Sequence, residues 1–319
     1  MDTIDLNGLA VSAQGLGCMG MSHGYGTFDD EESIATLNLA LDLGVTHWDT
    51  ADIYATGTNE RLLSNVLATR RDEVTLATKF GIAELGTGDR AGQNVVRGHP
   101  DYVASACDAS LERLGVEVID LYYVHRPPGD VPIPETIGAM ATLVDVGKVR
   151  HLGVSEFDAE QLRAANDVHP IAALQSEYSL WTRDVEDVVP TMRELGIGLV
   201  PFSPLGRGFL TGTVAVDDLP EDDFRRGLSR FQDDAAAQNM RIVAAVRDVA
   251  DRHEVSPAQV ALAWVHQQQE SLGIAIAPIP GTKRRRWLRE NVAALDIVLD
   301  DADRRALQGL ADEVTGARY

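Results

Sequence analysis

Cysteine is nearly absent: Cys18 and Cys107 are the two in 319 residues. A disulfide framework is therefore not what holds the fold. Cys107 falls on a helical stripe with Val103, Ala106, Ser110, Leu111 and Leu114, so a reduced cysteine facing the core is expected. No apolar run reaches the ~18 residues of a membrane helix. The start MDTIDLNGLAVSAQG also lacks a basic region followed by an apolar stretch, so a cytoplasmic protein without a membrane partner is expected. Positive charge is scarce, with 28 Lys and Arg against 49 Asp and Glu, a net of −21. Such a surface repels nucleic acid and anionic membranes at long range, which argues against either as a partner.

The chain does hold enough apolar residue, 45%, for a sizeable core, and its 24% charged content is ordinary for a globular protein. Eight short apolar or β-branched runs start at Gly15, Val45, Val74, Val118, Val149, Ile171, Ile197 and Ile274. Amphipathic segments lie between them at 31–43, 59–69, 100–114, 134–147, 158–166, 183–195, 235–253 and 256–269, and a last one at 283–294 follows the eighth run. Gly44, Gly115, Gly147 and Gly196 stand where helices should stop, and Ser256-Pro257 reads as a helix start. Strand and helix alternating throughout predicts one α/β domain over residues 1–319, a (β/α)8 TIM barrel. Two additions to the plain barrel are expected. One is a short N-terminal hairpin turning at Asn7-Gly8 and closing the barrel bottom; the other is a long loop after strand seven, residues 206–234, hanging over the site.

In such a barrel the chemistry sits at the C-terminal strand ends. Strand two runs out into Asp49 and Tyr54, strand three into Lys79, and strand four into His125 and Arg126. Singly, these residues read as a buried ion pair, a core tyrosine and a satisfied histidine. Together on one rim they read as proton-transfer chemistry. A phenol with a pKa of ~10 is a poor acid at neutral pH, and a neighbouring ammonium would lower it. Lys79 is placed to do so, Asp49 to hold Lys79 charged, and His125 to hydrogen-bond a carbonyl oxygen. His23, His47, His99 and His151 show no clustered spacing, so no metal site and no metal-dependent hydrolase is expected. GLGCMG at Gly15 does not have the spacing of the βαβ dinucleotide fingerprint.

The runs WDTADIYATGTNE, ATKFG, LERLGVEVIDLYYVHR, GKVRHLGVSEF, LQSEYSLWTRDVE, LVPFSPLGRGFLTG and PIPGTKRRRWLREN occur in that order over nearly the whole chain. In these the chain resembles the aldo-keto reductase superfamily, and within it the bacterial and plant group of auxin-induced-protein-like and pyridoxal- or perakine-reductase-like members. The resemblance implies NADP(H)-dependent reduction of a small aldehyde or ketone, with Asp49, Tyr54, Lys79 and His125 as catalytic tetrad and Tyr54 as general acid. By the same resemblance Gly20, Met21, Ser155, Gln175, Phe202, Ser203, Pro204, Leu205, Gly206 and Gly281 bound the cofactor, with Phe202 stacking on the nicotinamide. Met21, Tyr25 and Trp181 would line an apolar substrate pocket. The resemblance includes a different class of protein, channel β-subunits that bind cofactor in a regulatory role with little turnover.

The one dense basic cluster, Lys283 to Arg286 with Arg289, opens the helix after strand eight, where free N–H groups and the helix dipole attract anions. Lys283 and Arg284 are assigned to the 2′-phosphate of NADP(H), and the resemblance places Glu290 and Asn291 near the adenine. Three positions depart from the family pattern: Glu156 stands where many members carry asparagine, Phe202 where tyrosine is common, and Trp287 where several place a polar cofactor contact.

Overall fold

Asn7 and Gly8 both take positive φ, 50° and 93°, a turn whose twist matches that of paired strands. They join β1 (Thr3–Leu6) to β2 (Leu9–Ser12) in an antiparallel hairpin. There follow β3 (Leu16–Gly17), α1 (Asp30–Asp42), β4 (His47–Asp49), α2 (Thr58–Arg70), β5 (Thr75–Phe80), β6 (Ile82–Glu84), β7 (Val95–Val96), α3 (Pro100–Leu114) and β8 (Ile119–Val124). The second half runs α4 (Ile133–Asp145), β9 (Val149–Ser155), α5 (Ala159–Asn166), β10 (Ile171–Glu177), α6 (Val189–Leu195), β11 (Gly198–Phe202), α7 (Asp233–His253), α8 (Pro257–Leu272), α9 (Arg285–Ala293) and α10 (Asp301–Gln308). This computed structural model describes residues 1–84, 94–214, 219–221 and 223–318, so 215–218 and 222 of the expected long loop lie outside the described residues.

Seven parallel strands, in the order β3-β4-β5-β8-β9-β10-β11, form a nearly closed barrel with helices outside. The eighth expected strand is in its place but is not a continuous ladder. Pro278 and Pro280 have no N–H, so the segment bonds in steps. Ala277 N donates to Leu199 O and Ile279 N to Pro201 O, each at 3.0 Å, on the β11 side. Pro278 O accepts from Gly15 N at 2.8 Å and Pro280 O from Gly17 N at 3.4 Å on the β3 side. The segment thus bridges the two sheet edges. A Cβ on Gly17 would lie 2.8 Å from Ile279 O, which is why this approach requires glycine.

Helix punctuation follows the expected chemistry. Ser256 and Gln259 form a reciprocal capping box at the start of α8, with Pro257 at its first position. Gly115 ends α3 at φ 66°. The predicted helix over 183–195 is instead a 3₁₀ turn, Asp184–Val188, followed by α6, since Pro190 cannot join an uninterrupted α-helix. The β6–β7 hairpin and α10 had no counterpart in the sequence reading.

Leu6, Leu9 and Val11 of the hairpin pack against Ala77, Leu121, Ala173 and Val200 inside the barrel. Asn7 Nδ2 donates to Ile171 O at 2.9 Å, the first residue of β10. The hairpin therefore stoppers the N-terminal strand ends, and the cavity lies at the opposite, C-terminal ends. Cys18 and Cys107 are both buried and unpaired. Among the described residues no helix is long and apolar enough to cross a membrane.

Candidate active site

The C-terminal ends of β4, β5 and β8 bring Asp49, Lys79 and His125 to one rim. Beyond Asp49 the chain stays bonded to β5, with Thr50 N on Ala77 O and Asp52 N on Lys79 O, each at 3.0 Å. Ala55, Thr56 and Gly57 then take three successive left-handed conformations, φ 47°, 52° and 79°. Such a turn is strained for its two non-glycine residues, and it returns Tyr54 over Lys79 before α2 begins. Thr50 Oγ1 donates to Asn59 Oδ1 at 2.6 Å, and Asn59 Nδ2 donates to Cys18 O at 2.9 Å, tying this turn to the loop after β3.

Lys79 and Asp49 are almost fully buried, 1% and 3% exposed, which makes their pairing obligatory. The Lys79 ammonium donates to the Asp49 carboxylate, and to Thr50 O at 2.7 Å. The other Asp49 oxygen accepts from Gln175 Nε2 at 2.7 Å. Lys79 Nζ lies 5.3 Å from the Tyr54 ring centre. Burial alone would lower the Lys79 pKa, but Asp49 and Tyr54 together hold it above the usual value, so the side chain is a cation at all working pH.

Tyr54 behaves differently from the sequence expectation. Burial pushes its pKa up and outweighs the downward pull of Lys79, with Asp49 adding to the rise. The phenol thus keeps its proton at neutral pH. Burial, then the cations Arg126 and Lys79, drive His125 well below its ordinary pKa, so it is a neutral imidazole. Its ring stands edge-on to Tyr54 with centres 6.0 Å apart, and its Nδ1 has no hydrogen-bond partner among the described residues.

Asp52 carries a consequence for stability. Burial, reinforced by the Glu60 charge, pushes its carboxyl up to about 7, and its Oδ1 is sealed without a partner among the described residues. An unfolded chain releases that proton near pH ~4, so folding stability declines as pH rises from there through about 7. Asp52→Asn removes the penalty. Its melting temperature should exceed the wild-type value at pH 8, and the gap should shrink towards pH 5; a gap independent of pH would assign the effect to packing.

A cavity of about 940 Å³ opens above this cluster, walled by Asp49, Tyr54, His125, Gln175 and Phe202. Its walls also include Gly20, Tyr25, Ser203, Pro204, Leu205, Gly281, Lys283, Arg284, Glu290 and Asn291. The loop after β11 overhangs it through Arg207, Thr211, Phe224 and Arg225, as expected of the long insertion.

Besides Lys79, which lies beneath the Tyr54 ring, four of the residues singled out from sequence do not line the cavity. Met21 is fully buried among Leu16, Trp48 and Leu288. Trp181 is 1% exposed, stacked on Phe209 at 5.0 Å and edge-on to Phe231 at 6.1 Å, so it is core and not substrate pocket. Gly206 is packed beneath that indole; a Cβ there would sit 2.6 Å from Trp181 Cε2. Ser155 is fully covered, its Oγ accepting from Arg126 Nη1 at 3.2 Å. Glu156, at φ 59°, turns its carboxylate to Ser176 Oγ (2.9 Å), to Glu177 N (3.0 Å) and to Arg318 (2.6 Å).

Sequence reasoning assigned Lys283 to the cofactor but missed the contacts that hold it, and it missed Arg225. Lys283 donates to the backbone oxygens of Tyr25 and Thr27, clamping the glycine-containing loop after β3 to the segment before α9. Arg225 lies over the Tyr25 ring at 5.0 Å. These contacts join loops remote in sequence, and no local pattern announces them. Among the described residues no group of three His, Cys, Asp or Glu side chains is placed to hold a metal ion.

The sequence profile of the Aldo/keto reductase family matches residues 14–312. A probable aldo-keto reductase of Glycine max is 42% identical over 317 residues, covering 98% of this chain and 89% of that protein. Among solved structures, a glycerol dehydrogenase of Gluconobacter oxydans superposes with a TM-score of 0.83 at 28% identity, over 97% of this chain and 94% of that one. An aldo/keto reductase of Klebsiella pneumoniae, solved in complex with NADP and acetate, gives 0.73 at 28% identity, over 97% and 95%. Agreement of that length, in sequence and in barrel, leaves one conclusion: the chain belongs to the aldo/keto reductase family.

Proposed function

We propose that this protein reduces aldehydes or ketones to alcohols with NADPH, and that Tyr54 gives the proton to the carbonyl oxygen. The observation that carries the reading is the buried Asp49–Lys79 pair lying beneath the Tyr54 phenol at the floor of the cavity. The residues present fit a dinucleotide. The cavity holds about 940 Å³, and its walls include the flat Phe202 ring, Ser203, Pro204 and Leu205, and the cations Lys283 and Arg284.

When bound, NADPH would supply a hydride to the carbonyl carbon. The chain's own residues do the rest. Tyr54 is protonated and aimed into the cavity, and Lys79 stabilises the phenolate left after transfer. Asp49 holds Lys79 in place, and is itself held by Gln175. Neutral His125 donates a hydrogen bond without bringing a second charge. Oxidation of NADPH, followed by absorbance with a panel of aldehydes, tests the reading; a regulatory cofactor-binding subunit would show little turnover.

Cofactor choice divides between two cations. The Arg284 side chain has no ion-pair partner among the described residues, whereas Lys283 is engaged by Tyr25 and Thr27. Charge-assisted hydrogen bonds to a 2′-phosphate contribute ~1.5–3 kcal/mol each, so Lys283→Ala/Arg284→Ala should raise Kd for NADPH at least about tenfold and leave NADH within a few-fold. Arg284→Ala alone should discriminate the two cofactors; Lys283→Ala should also loosen the loop that carries Tyr25. Fluorescence titration of both cofactors reads this, and equal weakening would move the cluster's role to the pyrophosphate or the fold.

A further inference from the structure

Apart from Lys283 and Arg284 of the basic cluster, the cations around the cavity are paired off with carboxylates among the described residues, with one exception. Lys79 is matched by Asp49, Arg225 by Asp223 at 2.8 Å, Arg207 by Glu177 at 2.9 Å, and Arg318 by Glu156 and Glu177 at 2.6 and 2.9 Å. Arg126 is left over. It follows His125 directly at the end of β8 and is half-buried in the wall that Tyr54 and His125 share. Its Nη1 donates to His125 O at 2.6 Å and to Ser155 Oγ at 3.2 Å. Both acceptors are neutral, and no carboxylate lies within 4.0 Å of the guanidinium among the described residues. Glu156, on the next strand, is committed to Ser176, Glu177 and Arg318.

A half-buried guanidinium without a counter-anion is costly unless something else supplies the negative charge. Two bonds through Nη1 fix the group's position, and its Nε and Nη2 make no hydrogen bond to the described protein. That leaves a fork suited to a carboxylate, which guanidinium recognises with two parallel bonds. The fork sits next in sequence to the histidine that faces the carbonyl oxygen.

We propose that Arg126 is a specificity-determining residue that receives a carboxylate carried by the substrate, so that the preferred substrates are short oxo-carboxylates. This rests on the reductase reading above and narrows its substrate class; the apolar, uncharged pocket expected from sequence loses Met21 and Trp181 and gains a cation. The reaction itself is unaltered. Hydride adds to the carbonyl carbon, the C=O π pair takes the Tyr54 proton to become an O–H bond, NADPH leaves as NADP⁺, and the carboxylate is a spectator held by Arg126.

The test uses acid and methyl ester pairs of one carbon skeleton: glyoxylate with methyl glyoxylate, and 4-oxobutanoate with methyl 4-oxobutanoate. In the wild-type enzyme kcat/KM should favour at least one acid over its ester by about tenfold or more, the size of one charge-assisted contact. Arg126→Met should collapse that acid-to-ester ratio at least about tenfold through KM, and Arg126→Lys should restore part of it. Wild-type ratios near unity in both pairs, or a proportional fall for acid and ester in Arg126→Met, would overturn the proposal. The second result would assign the arginine to the nicotinamide or to the fold. Calorimetric titration of the NADP⁺-loaded protein with oxalate and succinate, which cannot be reduced, separates this from the reductase reading. Binding that weakens about tenfold or more in Arg126→Met supports the subsite even if no aldehyde turns over, and binding equal in both proteins, or absent from the wild type, refutes it.

Discussion

Tyr54→Phe should lower kcat/KM for carbonyl reduction by about 10²–10⁴-fold and leave NADPH affinity within a few-fold. The substitution deletes one oxygen. The ring that stands edge-on to His125 at 6.0 Å and near-parallel to His23 at 6.3 Å is kept, as is the face that Lys79 approaches. On the proposed mechanism what is lost is the proton donor, which acts in the transition state, while the cavity walls at Phe202 to Leu205 and at Lys283 and Arg284 are untouched. Burial raises the Tyr54 pKa, so the donor form persists above neutrality and the wild-type rate should show no alkaline fall close to pH 7 from this group. Single-turnover kinetics with cofactor fluorescence separates the two effects. A variant that keeps most of the wild-type kcat would mean that another group is the acid.

The barrel and the four-residue cluster were legible because both follow from local, periodic signals. Strand-end polar residues such as Asp49, Lys79 and His125 break an apolar run at a defined place, and a parallel barrel brings consecutive strand ends together whatever the loops do. The eighth strand was found by its apolar residues, and its broken ladder follows from Pro278 and Pro280, which were visible in the same run. Legibility failed where partners are far apart in sequence. Trp181 reads as an aromatic beside a site, but its environment is set by Phe209, Phe231 and Arg230 from the following loop. Met21 reads as a pocket residue because it follows Gly20, yet a 3₁₀ turn over Met19–Met21 rotates it into the core. The direction of the Tyr54 shift is not legible for a related reason: the Lys79 charge can be read from the rim, whereas the burial that outweighs it depends on the walls around the phenol.

Lys79→Met is the substitution expected to damage both stability and rate. Lys79 and Asp49 are each nearly sealed from water, and the lysine is the charge that compensates the carboxylate. Methionine fills much of the volume but leaves Asp49 with one donor, Gln175 Nε2 at 2.7 Å, and leaves Thr50 O without its bond from Nζ. Breaking a buried pair from one side costs roughly 3–5 kcal/mol, because a charge remains in the interior without its partner. Activity falls for a separate reason. With the ammonium gone, burial and Asp49 act on Tyr54 unopposed by their main counterweight, so its pKa rises further and the phenolate formed on proton transfer has no cation beside it. The two effects can be told apart with Asp49→Asn/Lys79→Met, which removes both charges. Denaturant unfolding should show the double variant recovering much of the lost stability, while its kcat stays at the level of Lys79→Met. Recovery of both together would make the pair a structural device with no part in proton transfer, and wild-type stability in Lys79→Met would mean that Asp49 is not held as an ion by this lysine.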